Sequence, residues 1–170
     1  MNLKRLDDSG YIDLNYGDES YFGLTPNVPY AWQLKENPLL LPVAKGKFLN
    51  VVGLISRKND LFFQVLETTF NTDKIIDFMD IFVDQIIKKT VVILDNKSKK
   101  FMAKIEECKE KYVLIFFLPP YSPELNLIEI LWRRIKYSWI PLDAYLCFQN
   151  LKDRLSFVLK NFGTKYDIIF

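Results

Sequence analysis

Three carboxylates stand out by their positions in the sequence. Asp95 ends the apolar run Val-Val-Ile-Leu at residues 91–94, which has the pattern of a strand buried on both faces of a sheet. An acid at the end of such a strand lies at the sheet edge where α/β proteins commonly bind ligands. Glu129 lies in a predicted helical stretch, residues 125–132, that is apolar on almost every side, and Asp18 follows a short strand-like segment. Because the sequence contains no histidine, carboxylates or lysines must carry any chemistry that this chain performs.

Each of these acids also has an ordinary structural explanation. Asp95 and Asn96 could cap a following helix or form a turn. Glu129 could pair with Arg133 one helical turn later, which contributes only about 0.3–0.5 kcal/mol. Asp18 follows a glycine, and that pairing is common in turns. Composition and spacing alone leave these alternatives open and do not join the three acids into one site.

The composition excludes several classes of protein and site. The absence of histidine excludes a Ser-His-Asp or Cys-His nucleophile system and a His-ligated zinc site. The chain has 170 residues, of which 49% are apolar and 15% aromatic. These proportions exclude a disordered or fibrous protein and predict a single domain over residues 1–170. The net charge of +2 gives no argument for a nucleic-acid partner.

Nothing in the sequence predicts a membrane protein or a secreted one. The longest unbroken apolar run, residues 113–118, is too short to cross a bilayer, and the first residues contain no apolar segment of a signal peptide. Cys108 and Cys147 lack metal-ligand spacing and fit a reducing compartment. We therefore expect a cytoplasmic protein with no membrane partner.

The hydrophobic pattern predicts strands in the first half of the chain and alternating helices and strands in the second. The predicted strands are residues 11–16, ending at Gly17, and then 21–24, 48–55, 61–66, 91–94 and 112–118. The predicted helices are residues 72–88 with Asn71 or Thr72 as N-cap, 98–111, a helix opened by Ser122 and Pro123, and 145–162. This order predicts an α/β fold with a mixed sheet and helices on both faces.

The segments around the three acids resemble a known family. Its second and third acidic motifs are matched by Val-Val-Ile-Leu-Asp-Asn at residues 91–96 and by Leu-Pro-Pro-Tyr-Ser-Pro-Glu-Leu-Asn-Leu-Ile-Glu at residues 118–129, followed by Trp132 and Lys136. Its first motif is matched by Asp-Glu-Ser-Tyr-Phe at residues 18–22, with Trp32 following. The sequence therefore resembles the catalytic domain of D-D-E transposases, and in particular the bacterial insertion-sequence transposases of the mariner-like superfamily.

The resemblance implies a fold, an activity and a metal site. The fold it implies is ribonuclease-H-like, with three antiparallel strands followed by two parallel ones. Asp18, Asp95 and Glu129 are by resemblance the catalytic and metal-binding triad, which holds Mg²⁺ or Mn²⁺, two ions in all. Two such ions about 3.5–4 Å apart activate a water or a 3′-hydroxyl and stabilise the leaving oxygen. The implied activity is DNA strand cleavage and strand transfer during transposition, with transposon ends and target DNA as partners.

Basic residues near the second and third acids are candidates for binding DNA phosphates. They are Lys97, Lys100, Arg133 and Lys136, and given the resemblance we expect them to contact DNA, although clusters of this size are most often solvated faces. Asn126 precedes Glu129 by one helical turn. It could touch the substrate, orient Glu129, or simply face water at the start of the helix.

The sequence departs from the family pattern at several positions. Lys100 stands where the family commonly has a histidine, and Leu127 stands where it usually has a proline. We find no helix-turn-helix recognition region before the catalytic domain, so a separate N-terminal DNA-recognition chain is a candidate partner. The resemblance also implies a homodimer as a candidate partner, since transposases of this kind generally work as dimers or larger assemblies on DNA. Two alternatives remain: an inactive transposase relic acting as a DNA-binding or dimerisation module, and another nuclease of the same fold.

Overall fold

The computed structural model describes residues 2–27, 35–36, 40–41, 46–95, 112–119 and 122–170, and these residues form one mixed sheet. Its five strands are β1 (Asp13–Gly23), β2 (Phe48–Ser56), β3 (Leu61–Leu66), β4 (Thr90–Leu94) and β5 (Val113–Phe117). The strand order is β3-β2-β1-β4-β5. β1, β2 and β3 pair antiparallel, and β4 and β5 continue from β1 in parallel. The predicted arrangement of three antiparallel and two parallel strands is confirmed.

Four helices accompany the sheet in the described ranges. They are α1 (Leu3–Asp8), α2 (Thr72–Asp84), α3 (Ile128–Arg134) and α4 (Phe148–Lys160). A single 3₁₀ turn, Pro123–Leu125, precedes α3, which continues as one turn of π-helix over Ile135–Trp139. A second 3₁₀ segment, Leu142–Leu146, leads into α4. None of the helices in the described part of the chain is long and apolar enough to cross a membrane.

The two faces of the sheet are covered by different helices. Strand side chains alternate between faces, so Val51 and Ile55 of β2 pack with α3 and α4, whereas Val52 and Leu54 pack with α2. A third, smaller cluster joins α1 to the start of β1 and to β4. Helices therefore lie on both faces, as the sequence predicts.

The first strand differs from its prediction. The sequence predicts two short strands separated at Gly17, but β1 runs without interruption from Asp13 to Gly23. It pairs with β2 from Asn15 to Gly23 and with β4 from Asp13 to Gly17. Backbone pairing with β2 continues past Gly17 and keeps the polar residues after it in an extended conformation, so the predicted strand end was wrong.

The helix boundaries also differ in places. Asn71 is the N-cap of α2, where its side-chain oxygen accepts the Lys74 N–H at 2.9 Å, but the helix ends at Asp84 rather than at residue 88. Pro123 opens a 3₁₀ turn rather than the helix itself, and the Ser122 side chain makes no capping hydrogen bond. The last helix begins at residue 148 because 3₁₀ geometry occupies the residues before it. The predicted helix at residues 98–111 lies outside the described residues.

Candidate active site

The site is built at the place where β1 and β4 stop pairing. The last paired residues are Gly17 and Leu94, and each is followed directly by one of the predicted acids, Asp18 and Asp95. Neighbouring strands lie about 4.8 Å apart, so the two acids leave the parallel pair side by side. The structure thus brings together two carboxylates that are 77 positions apart in the chain.

Close packing around Gly17 explains why a glycine precedes the first acid. A β-carbon at this position would lie 2.6 Å from Cδ2 of Leu54 and 2.6 Å from Cδ2 of Leu94. Both distances are shorter than a van der Waals contact. The missing side chain therefore lets neighbouring leucines fill the α2 face of the sheet directly beside the acids.

The third acid reaches the same region through α3. Glu129 lies in the first turn of that helix. Asp18 pairs with Gly53 of β2, and a β-carbon on Gly53 would lie 3.2 Å from Cη2 of Trp132 in α3. Asp18 therefore falls on the sheet face that α3 covers, whereas the next residue, Glu19, falls on the face covered by α2.

A buried asparagine ties the beginning of α3 to β1. The side-chain Nδ2 of Asn126 donates to the Gly17 carbonyl at 3.0 Å, and the Asn126 carbonyl accepts the Glu129 N–H at 3.1 Å. Only 2% of Asn126 is exposed. The alternative in which this residue faces water is therefore wrong, because its carboxamide lies inside the fold.

The three acids influence one another electrostatically. The pKa of Asp18 is raised to about 7, mainly by burial and then by the negative charges of Asp95, Glu129 and Glu19, against a lowering backbone hydrogen bond from Glu19. Burial and the charge of Asp95 likewise raise the pKa of the Glu19 carboxyl. The site therefore concentrates negative charge that a bound cation would offset.

One of the predicted DNA-binding lysines belongs to the same site. Lys136 lies in the π-helical turn, half-buried, with Nζ 5.2 Å from the centre of the Phe22 ring. Burial lowers the pKa of Lys136, while the charges of Glu129 and Asp18 act in the opposite direction. Arg133, in the last turn of α3, is exposed. Lys97 and Lys100 lie outside the described residues.

A cavity of about 350 Å³ lies beside the acids and was not anticipated from the sequence. Asp18, Glu19 and Asp95 contribute to its lining, and its apolar wall comes from β2, from α2 and from Phe70, which lies just before the N-cap of α2. The sequence signal that could have indicated this cavity is Gly17. A glycine inside a strand pattern often marks a place where neighbouring groups approach the backbone closely.

The donor chemistry of the three acids suits a hard divalent cation. Carboxylate oxygens are the preferred protein ligands of Mg²⁺ and Mn²⁺, and a cation would offset the neighbouring negative charges that add to the effect of burial on the pKa of Asp18. Among the described residues, however, no group of three or more His, Cys, Asp or Glu side chains is arranged to hold a metal ion. The residues fit the cation by charge and donor type rather than as a completed coordination shell.

Comparison with known proteins gives one family and several solved structures. The family model described as "DDE superfamily endonuclease" matches residues 13–152. No curated protein matches the chain. The Mos1 transposase paired-end complex with the left transposon end has a TM-score of 0.61 at 15% identity, covering 93% of this chain and 51% of that one. The Mos1 strand transfer complex has a TM-score of 0.60 at 14% identity, covering 95% and 51%. The mariner Mos1 paired-end complex with Mg has a TM-score of 0.55 at 15% identity, covering 92% and 50%.

These matches establish the fold and its extent. The chain spans about half the length of the solved structures that it matches. At this level of identity the likeness shows a shared architecture, which confirms the expected ribonuclease-H-like fold. The bacterial insertion-sequence type stays a prediction.

Proposed function

The chain belongs to the DDE superfamily endonucleases, and from this premise we propose that it is the catalytic domain of a transposase that cleaves and joins DNA strands with divalent cations. The observation that carries the proposal is the convergence at one sheet edge. Asp18 and Asp95 follow the last pair of β1 and β4, and the helix that carries Glu129 is bound to β1 beside them. This is the arrangement expected of carboxylates that share a cation.

Asp18, Asp95 and Glu129 would hold Mg²⁺ or Mn²⁺, two ions in the proposal. Such cations, when bound, polarise an attacking oxygen and stabilise the leaving oxygen in an in-line displacement at phosphorus. The protein brings the carboxylates to one edge of the sheet and needs no histidine base. Two of the similar solved structures are Mos1 paired-end complexes described with Mn and with Mg, which supports a divalent cation here.

DNA is the proposed substrate, as transposon ends and as target. Lys136 places a half-buried ammonium beside Glu129 and Asp18, where it would hold a phosphate next to the reacting one. Exposed Arg133, together with Lys97 and Lys100, would contact other phosphates of the DNA backbone. The Mos1 matches include a strand transfer complex and a complex with a transposon end, which supports a DNA partner. A homodimer and a separate DNA-recognition chain complete the proposed partners.

A second candidate function is an inactive module that keeps the fold and binds DNA or dimerises. One observation favours it: within the described ranges no three acidic, histidine or cysteine side chains are arranged as a metal site. The two candidates differ in whether the protein binds a divalent cation, which can be measured without a DNA substrate.

The test compares wild type with Asp95→Asn in thermal unfolding with and without Mn²⁺, and in nicking of supercoiled DNA. At about ten times Kd, Mn²⁺ stabilises the folded state by roughly 1.4 kcal/mol, a rise of a few degrees in Tm for a domain of this size. We expect this rise and the nicking in wild type and neither in Asp95→Asn. Glu124→Gln is the matched control, because Glu124 is an exposed acid in the 3₁₀ turn before α3.

Three outcomes decide between the candidates. Stabilisation and nicking that disappear only in Asp95→Asn support the catalytic domain. Nicking that survives Asp95→Asn would remove Asp95 from the site. A wild-type protein that Mn²⁺ neither stabilises nor activates would favour the inactive module.

A further inference from the structure

We propose that Asn126 is a positioning residue that holds the helix carrying Glu129 against the strand carrying Asp18, an inference that rests on the proposed function. Its Nδ2 donates to the Gly17 carbonyl at 3.0 Å and so joins segments that are 109 residues apart. Gly17 is the residue immediately before Asp18. One hydrogen bond therefore connects the two elements on which these acids lie.

The backbone of Asn126 extends this connection to Glu129. Its N–H donates to the Pro123 carbonyl at 3.0 Å and closes the 3₁₀ turn. Its carbonyl accepts the Glu129 N–H at 3.1 Å at the beginning of α3. Since the same residue closes the turn, starts the helix and binds β1, a displacement of Asn126 moves Glu129 relative to Asp18.

The burial of Asn126 separates this role from that of a substrate contact. The residue is 2% exposed, so its carboxamide lies away from any surface that DNA can reach in this conformation. Only the amino side of a carboxamide can face a carbonyl, so the bond to Gly17 fixes which way the group points. The expectation that Asn126 binds DNA is therefore replaced by a contact within the protein.

The carboxamide oxygen of Asn126 indicates that a contribution to stability alone does not explain why an asparagine lies here. Oδ1 of Asn126 is buried and has no hydrogen-bond partner among the described residues. A buried polar atom without a partner lowers stability. The structure thus tolerates one unpaired oxygen and retains the donor that reaches Gly17, which is what a positioning residue requires.

The expected losses of Mn²⁺ affinity and of rate can be judged from other metalloproteins, in which residues outside the coordination shell orient the metal ligands. Removing such a partner typically weakens metal affinity by about 10–100-fold. A displacement of about 1 Å in a reacting geometry lowers the rate by about 100-fold. We expect Asn126→Ala to weaken Mn²⁺ binding and to lower kcat for nicking within these ranges, while KM for DNA stays within about twofold.

The experiment measures the full chain in two states. Amide hydrogen exchange of the metal-free protein follows the first turn of α3, and the electron paramagnetic resonance signal of free Mn²⁺ gives the Kd. The variants are Asn126→Ala and, in case that variant fails to fold, Asn126→Asp, which keeps the size but cannot donate to Gly17 when ionised. The control is Asn59→Ala. Asn59 also bonds a distant backbone, with Nδ2 to the Ile168 carbonyl at 3.0 Å, but it lies in the β2–β3 turn.

Each outcome has a defined consequence. Faster exchange at Ile128–Leu131 and weaker Mn²⁺ binding in both Asn126 variants, but not in Asn59→Ala, support the proposal. Unchanged exchange, or faster exchange with an unchanged Kd for Mn²⁺, overturns it. An unchanged Kd with a raised KM for DNA would restore a DNA contact. If exchange is faster in the Asn126 variants but wild type binds no Mn²⁺, the structural link between α3 and β1 is supported. The proposed function is then refuted instead.

Discussion

At the scale of single residues, the charge of Asp18 couples the candidate site to the stability of the protein. Burial and the neighbouring carboxylates raise its pKa from 3.8 to about 7 in the folded state. Between these values the folded chain binds a proton that the unfolded chain has lost, so stability falls as pH rises from about 4 to 7. Above pH 7 the ionised, unneutralised carboxylate lowers the free energy of unfolding by roughly 3–5 kcal/mol.

Asp18→Asn is therefore expected to stabilise the metal-free protein. The Tm gain over wild type should be several degrees at pH 8 and should shrink to near zero at about pH 3, because the wild-type carboxyl is then mostly protonated in both the folded and the unfolded state. Thermal unfolding in EDTA across this pH range measures it. Asp167→Asn, at an exposed position near the C-terminus, is the control and should show no such gain. An Asp18→Asn variant less stable than wild type at pH 8 would contradict the raised pKa.

Sequence analysis identified the acids more fully than their surroundings. Motif and spacing indicated Asp18, Asp95 and Glu129, and the structure places the first two next to each other and the third in electrostatic reach. The buried bond of Asn126 was not predictable, because Gly17 lies 109 residues away and only the fold brings it near. The three explanations weighed for Asn126 differ in burial, and burial depends on tertiary contacts.

At the scale of elements, β1 shows how pairing overrides local preference. Glycine followed by polar residues at 17–20 is typical of a turn, yet continuous pairing with β2 holds this segment extended, and β4 pairs with it as far as Gly17. β3, in contrast, was predicted with its observed bounds because its apolar run and flanking turn residues agree. The observed start of α3 also lies later than the predicted one because of a tertiary contact. Pro123 suits a 3₁₀ turn as well as an α-helix, and the hydrogen bond from Asn126 to Gly17 holds the end of that turn against β1.

The close packing at Gly17 predicts that Gly17→Ala disturbs both the strand pair and the site. The added methyl group would meet Leu54 and Leu94 at 2.6 Å, and relieving such overlap in a packed core typically costs about 1–3 kcal/mol. We expect that loss in urea unfolding, together with weaker Mn²⁺ binding, because the displaced strands carry Asp18 and Asp95.

Gly23→Ala is the matched control in the same strand. There a β-carbon would meet the side chain of Tyr21, a residue that is 57% exposed and can move aside. The change should cost little and leave the Kd for Mn²⁺ unaltered. Equal destabilisation by the two substitutions would show that strand propensity, rather than packing beside the acids, accounts for the effect.

At the scale of the whole molecule, one sheet serves two apolar layers. Phe78 and Met79 of α2 lie in the layer on one face, and Leu131 of α3 and Leu155 of α4 lie in the layer on the other. The sequence predicted this two-sided core. Residues 91–94 have the pattern of a strand buried on both faces, and amphipathic helices precede and follow this strand in the chain. It gave no indication of α1, a helix of six residues that is too short to show a period.

Because both layers use the same strands, we expect the chain to unfold as one cooperative unit, in keeping with a single domain over residues 1–170. Leu155→Ala, at a position with 0% exposure, should cost about 2–5 kcal/mol, and Phe78→Ala, at 2% exposure, about 3–5 kcal/mol. Each substitution lies on a different face, yet each should lower the Tm of one shared transition. Calorimetry would then give equal calorimetric and van't Hoff enthalpies in wild type and in both variants.

Ile81→Ala, at an exposed position of α2, is the control and should leave Tm nearly unchanged. Two separate transitions, each lowered by only one of the two core substitutions, would instead show that the layers fold independently.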